Sequence, residues 1–257
     1  MPTFTVVGTA SGIPAPNRSD AALVLRVEEK LYLFDVGEGC SSSLLRCGID
    51  HHAIGAVFIS HMHPDHCAGL PMLLQMMYLA GRVVPLRVHL PGEGVKSLEV
   101  WLPMLYIFPE KLSFPFTTFP IRPGAFFEDE HISVSAVANG HLQAYSALVR
   151  PKYAERTLES YSFVIEWGEK KAVYSGDLSS LRDLLPHCVG ADVLFLETTH
   201  VEIDEIAHFV AEHGVKRTVL VHIPPELEGR EDRIRCVCST FGIENIRMAF
   251  DGMEILF

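Results

Sequence analysis

Phe58-Ile59-Ser60-His61-Met62-His63-Pro64-Asp65-His66 runs from an apolar, β-favouring segment straight into three histidines and an aspartate. Ala56-Val57-Phe58-Ile59 reads as a buried strand. Cys67-Ala68-Gly69-Leu70-Pro71-Met72-Leu73-Leu74 reads as the start of a helix with proline in its first turn. The polar cluster thus occupies a short loop between a strand and a helix, where a rigid scaffold can hold functional groups in place. Imidazole nitrogens and a carboxylate oxygen are the donors that suit zinc and similar first-row cations. Four donors from so short a loop cannot all close on one ion without strain, so two adjacent ions sharing the loop is the more natural reading. The remaining ligands must then come from elsewhere in the chain.

Outward from this stretch the pattern repeats. Apolar, β-rich runs stop at His61, His141, Asp177, His200 and His222, and layered α/β folds bring strand ends to one edge, where sites form. Ala22–Val27 and Lys30–Asp35 read as a hairpin turning at Glu28-Glu29, and Ser162–Trp167 with Lys171–Asp177 as a second one. Ser41 to Gly48, Gly94 to Tyr106 and Asp204 to His213 read as helices. His89, alternating with apolar neighbours, reads as an outlying sheet residue. Phe108 to Phe127 has no helical period and reads as loop and edge strand. Val219-Leu220-Val221-His222 reads as the last strand. Asp35 follows three apolar residues, and the expectation is a hydrogen-bonded carboxylate that braces the loop or a ligand histidine.

The 257 residues, 48% hydrophobic and 21% charged, describe a globular protein with a sizeable core. No linker separates two halves that each place strands before helices, so residues 1–257 are expected to form one domain of two similar halves. No apolar run is long enough to span a membrane, and Met1-Pro2-Thr3-Phe4-Thr5-Val6-Val7 reads directly as a strand without a signal segment. A soluble, cytoplasmic protein without a membrane partner is expected. The formal charge of −11 opposes loose attraction to nucleic acid. Bound cations would reverse that field locally. Six cysteines form no C-x-x-C pair and no secreted-domain framework. Cys67, entering an apolar helix, is expected to be a small buried side chain.

His61-Met62-His63-Pro64-Asp65-His66 resembles the signature of the metallo-β-lactamase superfamily of binuclear metallohydrolases. Gly8-Thr9-Ala10-Ser11-Gly12-Ile13-Pro14, Phe34-Asp35-Val36-Gly37-Glu38-Gly39 and Gly69-Leu70-Pro71 are similar to its ribonuclease Z-like branch, close to the small phosphodiesterases of phosphonate utilisation. The resemblance covers nearly the whole chain and implies a four-layer αββα sandwich with mixed sheets. Carried over by motif, it implies that His61, His63 and His141 hold one divalent ion. Asp65, His66 and His222 hold the other, and Asp177 bridges both. Zinc suits such a set, and manganese or iron also occupies mixed His/Asp sites. Asp65 is further implied to orient the attacking water or take its proton.

Two departures bear on the substrate. Ribonuclease Z carries a His-Glu-Ala-Thr element where this chain has Leu196-Glu197-Thr198-Thr199, followed by His200. The small phosphodiesterases have a histidine three residues after an acidic one, as Glu197 and His200 stand here. His200 is therefore expected to protonate the leaving group or bind the phosphate, with Glu197 behind it. The stretch between His141 and Asp177 is also too short for the arm with which ribonuclease Z grips transfer RNA, though Ala147 to Arg156 offers a basic lip or dimer contact. The expected order is hydrolysis of a small phosphodiester or cyclic phosphate first and ribonuclease Z-like processing of transfer RNA 3′ ends second. Carboxylic or sulfate ester hydrolysis comes third. The complete ligand set argues against a non-catalytic binding protein, and a homodimer is implied by analogy only.

Overall fold

The computed structural model describes residues 2–256, which separate into two compact units. One holds the residues up to Ile121 and those from Phe250 onward; the other is Arg122–Ala249. The first unit contains β1 (Thr3–Gly8), β2 (Ala22–Val27), β3 (Lys30–Phe34), β4 (Ile54–Phe58), β5 (Leu86–Leu90) and β6 (Phe116–Pro120). Between these strands lie α1 (Cys40–Arg46), α2 (Pro64–Cys67), α3 (Leu70–Leu79) and α4 (Gly92–Met104). The second unit contains β7 (Gly124–Glu128), β8 (Ser133–Ala138), β9 (Tyr161–Trp167), β10 (Lys170–Tyr174), β11 (Val193–Glu197), β12 (Thr218–Val221) and β13 (Ile246–Met248). Its helices are α5 (Ser146–Lys152), α6 (Leu185–Cys188), α7 (Ile203–His213) and α8 (Glu231–Thr240). The chain then returns to the first unit as β14 (Met253–Leu256), antiparallel to β1.

Each unit is built on one seven-stranded sheet, in the orders β14-β1-β2-β3-β4-β5-β6 and β13-β12-β11-β10-β9-β8-β7. The two sheets repeat one plan. In the first, β14, β1, β2 and β3 pair antiparallel, and β3 to β6 continue in parallel. In the second, β7 to β10 pair antiparallel, and β10 to β13 continue in parallel. The fold is accordingly mixed α/β. The parallel strands lie mostly buried on both faces, which is why their sequences read as unbroken apolar runs.

Helical periodicity does the packing in each unit. Leu70, Leu73, Leu74 and Met77 of α3 stand at i, i+3, i+4 and i+7 and pack with Val57, Val88 and Leu90 in the first core. Ile203, Ile206 and Val210 of α7 do the same against Leu194, Leu196 and Leu220 in the second. Gly214, at φ 60°, ends α7 in the left-handed conformation that glycine adopts without a Cβ penalty. Among the described residues no helix is long and apolar enough to cross a membrane.

Three readings of the sequence need correction. Val219–His222 does not end the sheets, because β13 and β14 follow. Their few residues alternate charged with Met and Ile side chains, too weak a signal to register alone. Phe108 to Phe127 is loop and edge strand as expected, but it leads into two strands rather than one, β6 and β7, each at the edge of a different sheet. The histidine stretch is not all loop, since Pro64–Cys67 forms one helical turn with His63 as its N-cap. Proline at the first helical position has its φ already set and lacks only an N–H that would go unpaired there. Met1 lies outside the described residues.

His89 is not a peripheral sheet residue either. It is 6% exposed and stacks between Phe58 at 5.3 Å and Phe119 at 5.0 Å. Burial first, and then the Arg87 charge, pulls its imidazole from 6.5 down to about 4. Because the folded-state value is lowered, the unfolded chain takes up the proton more readily between these two values. The stability this histidine lends at neutral pH is therefore lost as pH falls from about 6.5 toward 4, an effect of about 2–3 kcal/mol at full extent. His89→Phe, which keeps a ring in the stack, should visibly flatten the acid limb of a plot of urea-unfolding midpoint against pH. A limb as steep as that of the parent protein would refute this account.

Candidate metal centre

In the first unit the parallel strands β3 and β4 end side by side and deliver Asp35 and then Ser60-His61. Asp35 adopts φ 59°, and its amide donates to Phe58 O at 2.8 Å, which turns its carboxylate back under the loop. There the buried carboxylate accepts from the Ser60 amide at 2.7 Å and from Ser60 Oγ at 2.9 Å. It also meets His66 Nδ1 at 2.7 Å.

These contacts assign the imidazole tautomers. A carboxylate can only accept, so His66 carries its proton on Nδ1 and presents the Nε2 lone pair. Ser60 spends its single hydroxyl proton on Asp35, so its oxygen accepts from His61 Nδ1 at 3.0 Å. His61 too is left with Nε2 as its ligand atom. The rings of His61 and His66 lie 4.2 Å apart, and those of His61 and His63 4.7 Å. Asp65 Oδ2 stands 3.5 Å from His66 Nε2. The first unit therefore brings together all four residues of the histidine stretch singled out from the sequence.

Two glycines allow this. A Cβ on Gly37 would lie 2.2 Å from Asp65 O, and one on Gly69 would lie 2.2 Å from Gly37 O. The backbone of Val36-Gly37 presses against the metal loop and is bonded to it through Val36 N to His66 O and Gly69 N to Val36 O. Any side chain at either position would push the histidines away from Asp35.

In the second unit β8, β10, β11 and β12 run in one direction, so their C-terminal ends share an edge. They deliver His141, Asp177, Glu197 with His200, and His222. Asp177 Oδ2 lies 3.5 Å from His141 Nε2, and Oδ1 lies 3.4 Å from His222 Nε2. Charge-assisted hydrogen bonds are shorter, about 2.7–2.9 Å. Two donors each about 2.0–2.2 Å from a shared ion at a tetrahedral angle stand about 3.4 Å apart. The separations are those of two atoms waiting on one cation, and each carboxylate oxygen faces a different imidazole.

His222 is assigned in the same way as His61. Thr199 Oγ1 donates to His222 O at 2.9 Å, so it accepts from His222 Nδ1, also at 2.9 Å, and Nε2 keeps its lone pair. Glu197 is fully buried and accepts from the amides of Leu178, Thr199 and His200 at 3.1, 2.7 and 2.8 Å. Its Oε1 meets His200 Nδ1 at 3.1 Å. Glu197 thus fixes both the turn that carries His200 and the loop after Asp177. His200, 37% exposed, sets its ring edge-on to His141 at 4.7 Å.

The residues fit divalent cations: neutral imidazole Nε2 atoms, carboxylate oxygens, and on three of the histidines an Nδ1 partner that sets the tautomer. Sequence reasoning missed Ser60 and Thr199, whose roles are long-range hydrogen bonds, and Asp20. Burial, then the charges of Asp65 and Glu38, push the Asp20 carboxyl up to about 6. The one local signal was an acidic residue opening the apolar run Ala21-Ala22-Leu23. Cys67 is buried, burial raises its thiol to about 12, and it stands in none of the groups whose ligand atoms converge.

Residues 33–223 match the family described as the β-lactamase superfamily domain. The chain is 23% identical to a ribonuclease Z of Methanothermobacter thermautotrophicus, covering 96% of this chain and 94% of the relative. It is 26% identical to a ribonuclease Z of Methanosarcina acetivorans, covering 99% and 98%. Among solved structures it resembles a metallo-β-lactamase-fold protein of Bacillus subtilis, with TM-score 0.80, 18% identity, and 99% and 98% of the two chains covered. It also resembles the short form of human tRNase Z, with TM-score 0.75, 22% identity, and 99% and 98% covered. A diphosphatase of the PhnP family gives TM-score 0.76 and 20% identity, with 100% and 98% covered. The chain therefore belongs to the β-lactamase superfamily, as a hydrolase of the metallo-β-lactamase fold with ribonuclease Z among its relatives.

Proposed function

We propose that this hydrolase is a binuclear metal-dependent phosphodiesterase of the ribonuclease Z type, cutting a phosphodiester bond in RNA. His61, His63 and His141 would hold one cation, and Asp65, His66 and His222 would hold the other. Asp177 would serve both. The observation that carries this reading is Asp177, whose two oxygens stand at ligand-pair distance from two different imidazoles. Zinc is the ion this imidazole-rich set suits. When bound, such cations supply Lewis acidity, which acidifies water and offsets charge on a phosphoryl group.

The side chains do the rest. Asp65 orients the attacking water and accepts its proton. Glu197 accepts from His200 Nδ1–H and fixes the ring, and in its protonated form His200 hands the Nε2 proton to the leaving alkoxide. His200→Ala should reduce kcat by about 10²–10⁴-fold while metal content stays unchanged. A variant with full turnover and full metal would refute the role.

RNA moves ahead of a small diester because the ribonuclease Z relatives match nearly end to end. The small diester remains a second reading, favoured by Leu196-Glu197-Thr198-Thr199, followed by His200, standing where ribonuclease Z has His-Glu-Ala-Thr. Where ribonuclease Z has its arm this chain has a 3-10 turn, His141–Tyr145, and the short α5, none of whose side chains is buried. The two readings separate when metal-replete protein is assayed on precursor transfer RNA and on bis-p-nitrophenyl phosphate. Cleavage of the RNA with the higher kcat/KM supports the first reading. Turnover of the small diester alone overturns it in favour of the second, and no hydrolysis of either overturns both.

A further inference from the structure

The 3-10 turn His51–Ala53 sits at the start of β4, the opposite end of that strand from His61. Asp50 is its N-cap, with Oδ1 accepting from the His52 amide at 2.9 Å. One donor atom from each of Asp50, His51 and His52 lies within 4.8 Å of the other two. The two imidazole rings stand 4.3 Å apart, tilted by 36°. His51 Nε2 is buried and has no hydrogen-bond partner among the described residues. A buried polar atom in that condition lowers stability unless something pairs with it.

The backbone of this turn is held from below. Arg82 Nη1 donates to His51 O at 3.0 Å and to His52 O at 2.8 Å, so little ordering is needed for both rings to engage a ligand. All guanidinium donors of Arg82 are taken up by backbone carbonyls, so none competes for the Asp50 carboxylate. Two nitrogens and one oxygen disfavour calcium and magnesium and suit borderline cations.

We propose that Asp50, His51 and His52 form a separate binding site for one borderline divalent cation, Zn2+, Cu2+ or Ni2+, whose remaining coordination positions are filled by water. The Arg82 charge nearby opposes a dication, so this site fills after the His/Asp centre. It is independent of the proposed reaction, since none of its ligands belongs to that centre.

The test uses full-length protein loaded with two equivalents of zinc per chain, which fill the His/Asp centre first, then desalted and titrated with Cu2+. Electron paramagnetic resonance counts the bound nitrogens, and released zinc is measured in the same samples. Expected is a single added Cu2+ per chain with two-nitrogen coupling and no zinc release. His51→Gln and His52→Gln should each weaken it about tenfold or more, and His208→Gln, at another exposed histidine, should leave it unchanged. Circular dichroism melts confirm that the variants are folded. Copper uptake matched by zinc release would overturn the proposal. So would uptake that survives both glutamine substitutions or vanishes in His208→Gln.

Discussion

Asp177→Asn should lower phosphodiester turnover by about 10³-fold, an effect of about 4 kcal/mol on the barrier, and should lower metal content with it. The substitution barely changes shape, so the β10 end and its hydrogen bonds through Ser175 survive. What changes is the donor set. Asparagine presents one oxygen and one NH2 group, and the NH2 must face either His141 Nε2 or His222 Nε2, each now 3.4–3.5 Å from a carboxylate oxygen. An amide donor there takes the lone pair that a cation needs, and the carboxylate charge that would offset the proposed cations is lost. Elemental analysis and a diester assay on the same preparation decide the matter. If Asp177→Asn keeps both metals and its parent's rate, Asp177 is not a shared ligand.

Arg82→Met should destabilise the protein by about 4–5 kcal/mol, read as a shift in the urea-unfolding midpoint. Arg82 is 1% exposed and has no carboxylate among its hydrogen-bond partners. Its guanidinium donates to five carbonyls instead: Val84 at 2.7 Å, His51 at 3.0 Å, His52 at 2.8 Å, Ile54 at 2.6 Å and Pro85 at 2.8 Å. One face lies 5.4 Å from the Phe114 ring centroid. Burial pulls the guanidinium down to about 10, still charged at any working pH. A single side chain thus ties the entry of β4 to the segment before β5. Methionine fills the channel but leaves those carbonyls without donors, and each buried loss is dearer than the bond was worth. Arg82→Lys, with three donors on a flexible stem, should recover only part. A methionine variant within 1 kcal/mol of the parent would show that water or backbone movement satisfies the carbonyls instead.

Strand ends were readable because their signal is local. A parallel strand buried on both faces must be an apolar run, and a polar residue that breaks it falls at the edge, as His61, Asp177 and His222 do. Hairpins declared themselves through paired apolar runs broken by short turns, the structure closing both in two residues with Glu28 at φ 54° and Gly168 at φ 57° supplying the left-handed backbone such turns need. Asp35 as the brace of a histidine was foreseeable for the same reason, since a carboxylate at a buried strand end must find a donor.

Contacts between residues far apart in the chain left no such trace. Nothing around Arg82 announces a cation caged by carbonyls, nothing around His89 announces a ring stack, and β14 is a strand only because β1 offers it an edge. Asp20 gains its raised pKa first from burial and then from the charges of Asp65 and Glu38, and Thr199 gains its importance from His222. Local composition set where the chain is extended, where it turns and which donors stand at the turns, because backbone preference and alternation act over a few residues. Which donor meets which partner, and hence each histidine's tautomer and each buried group's charge, follows from distances that exist only once separate strands lie side by side.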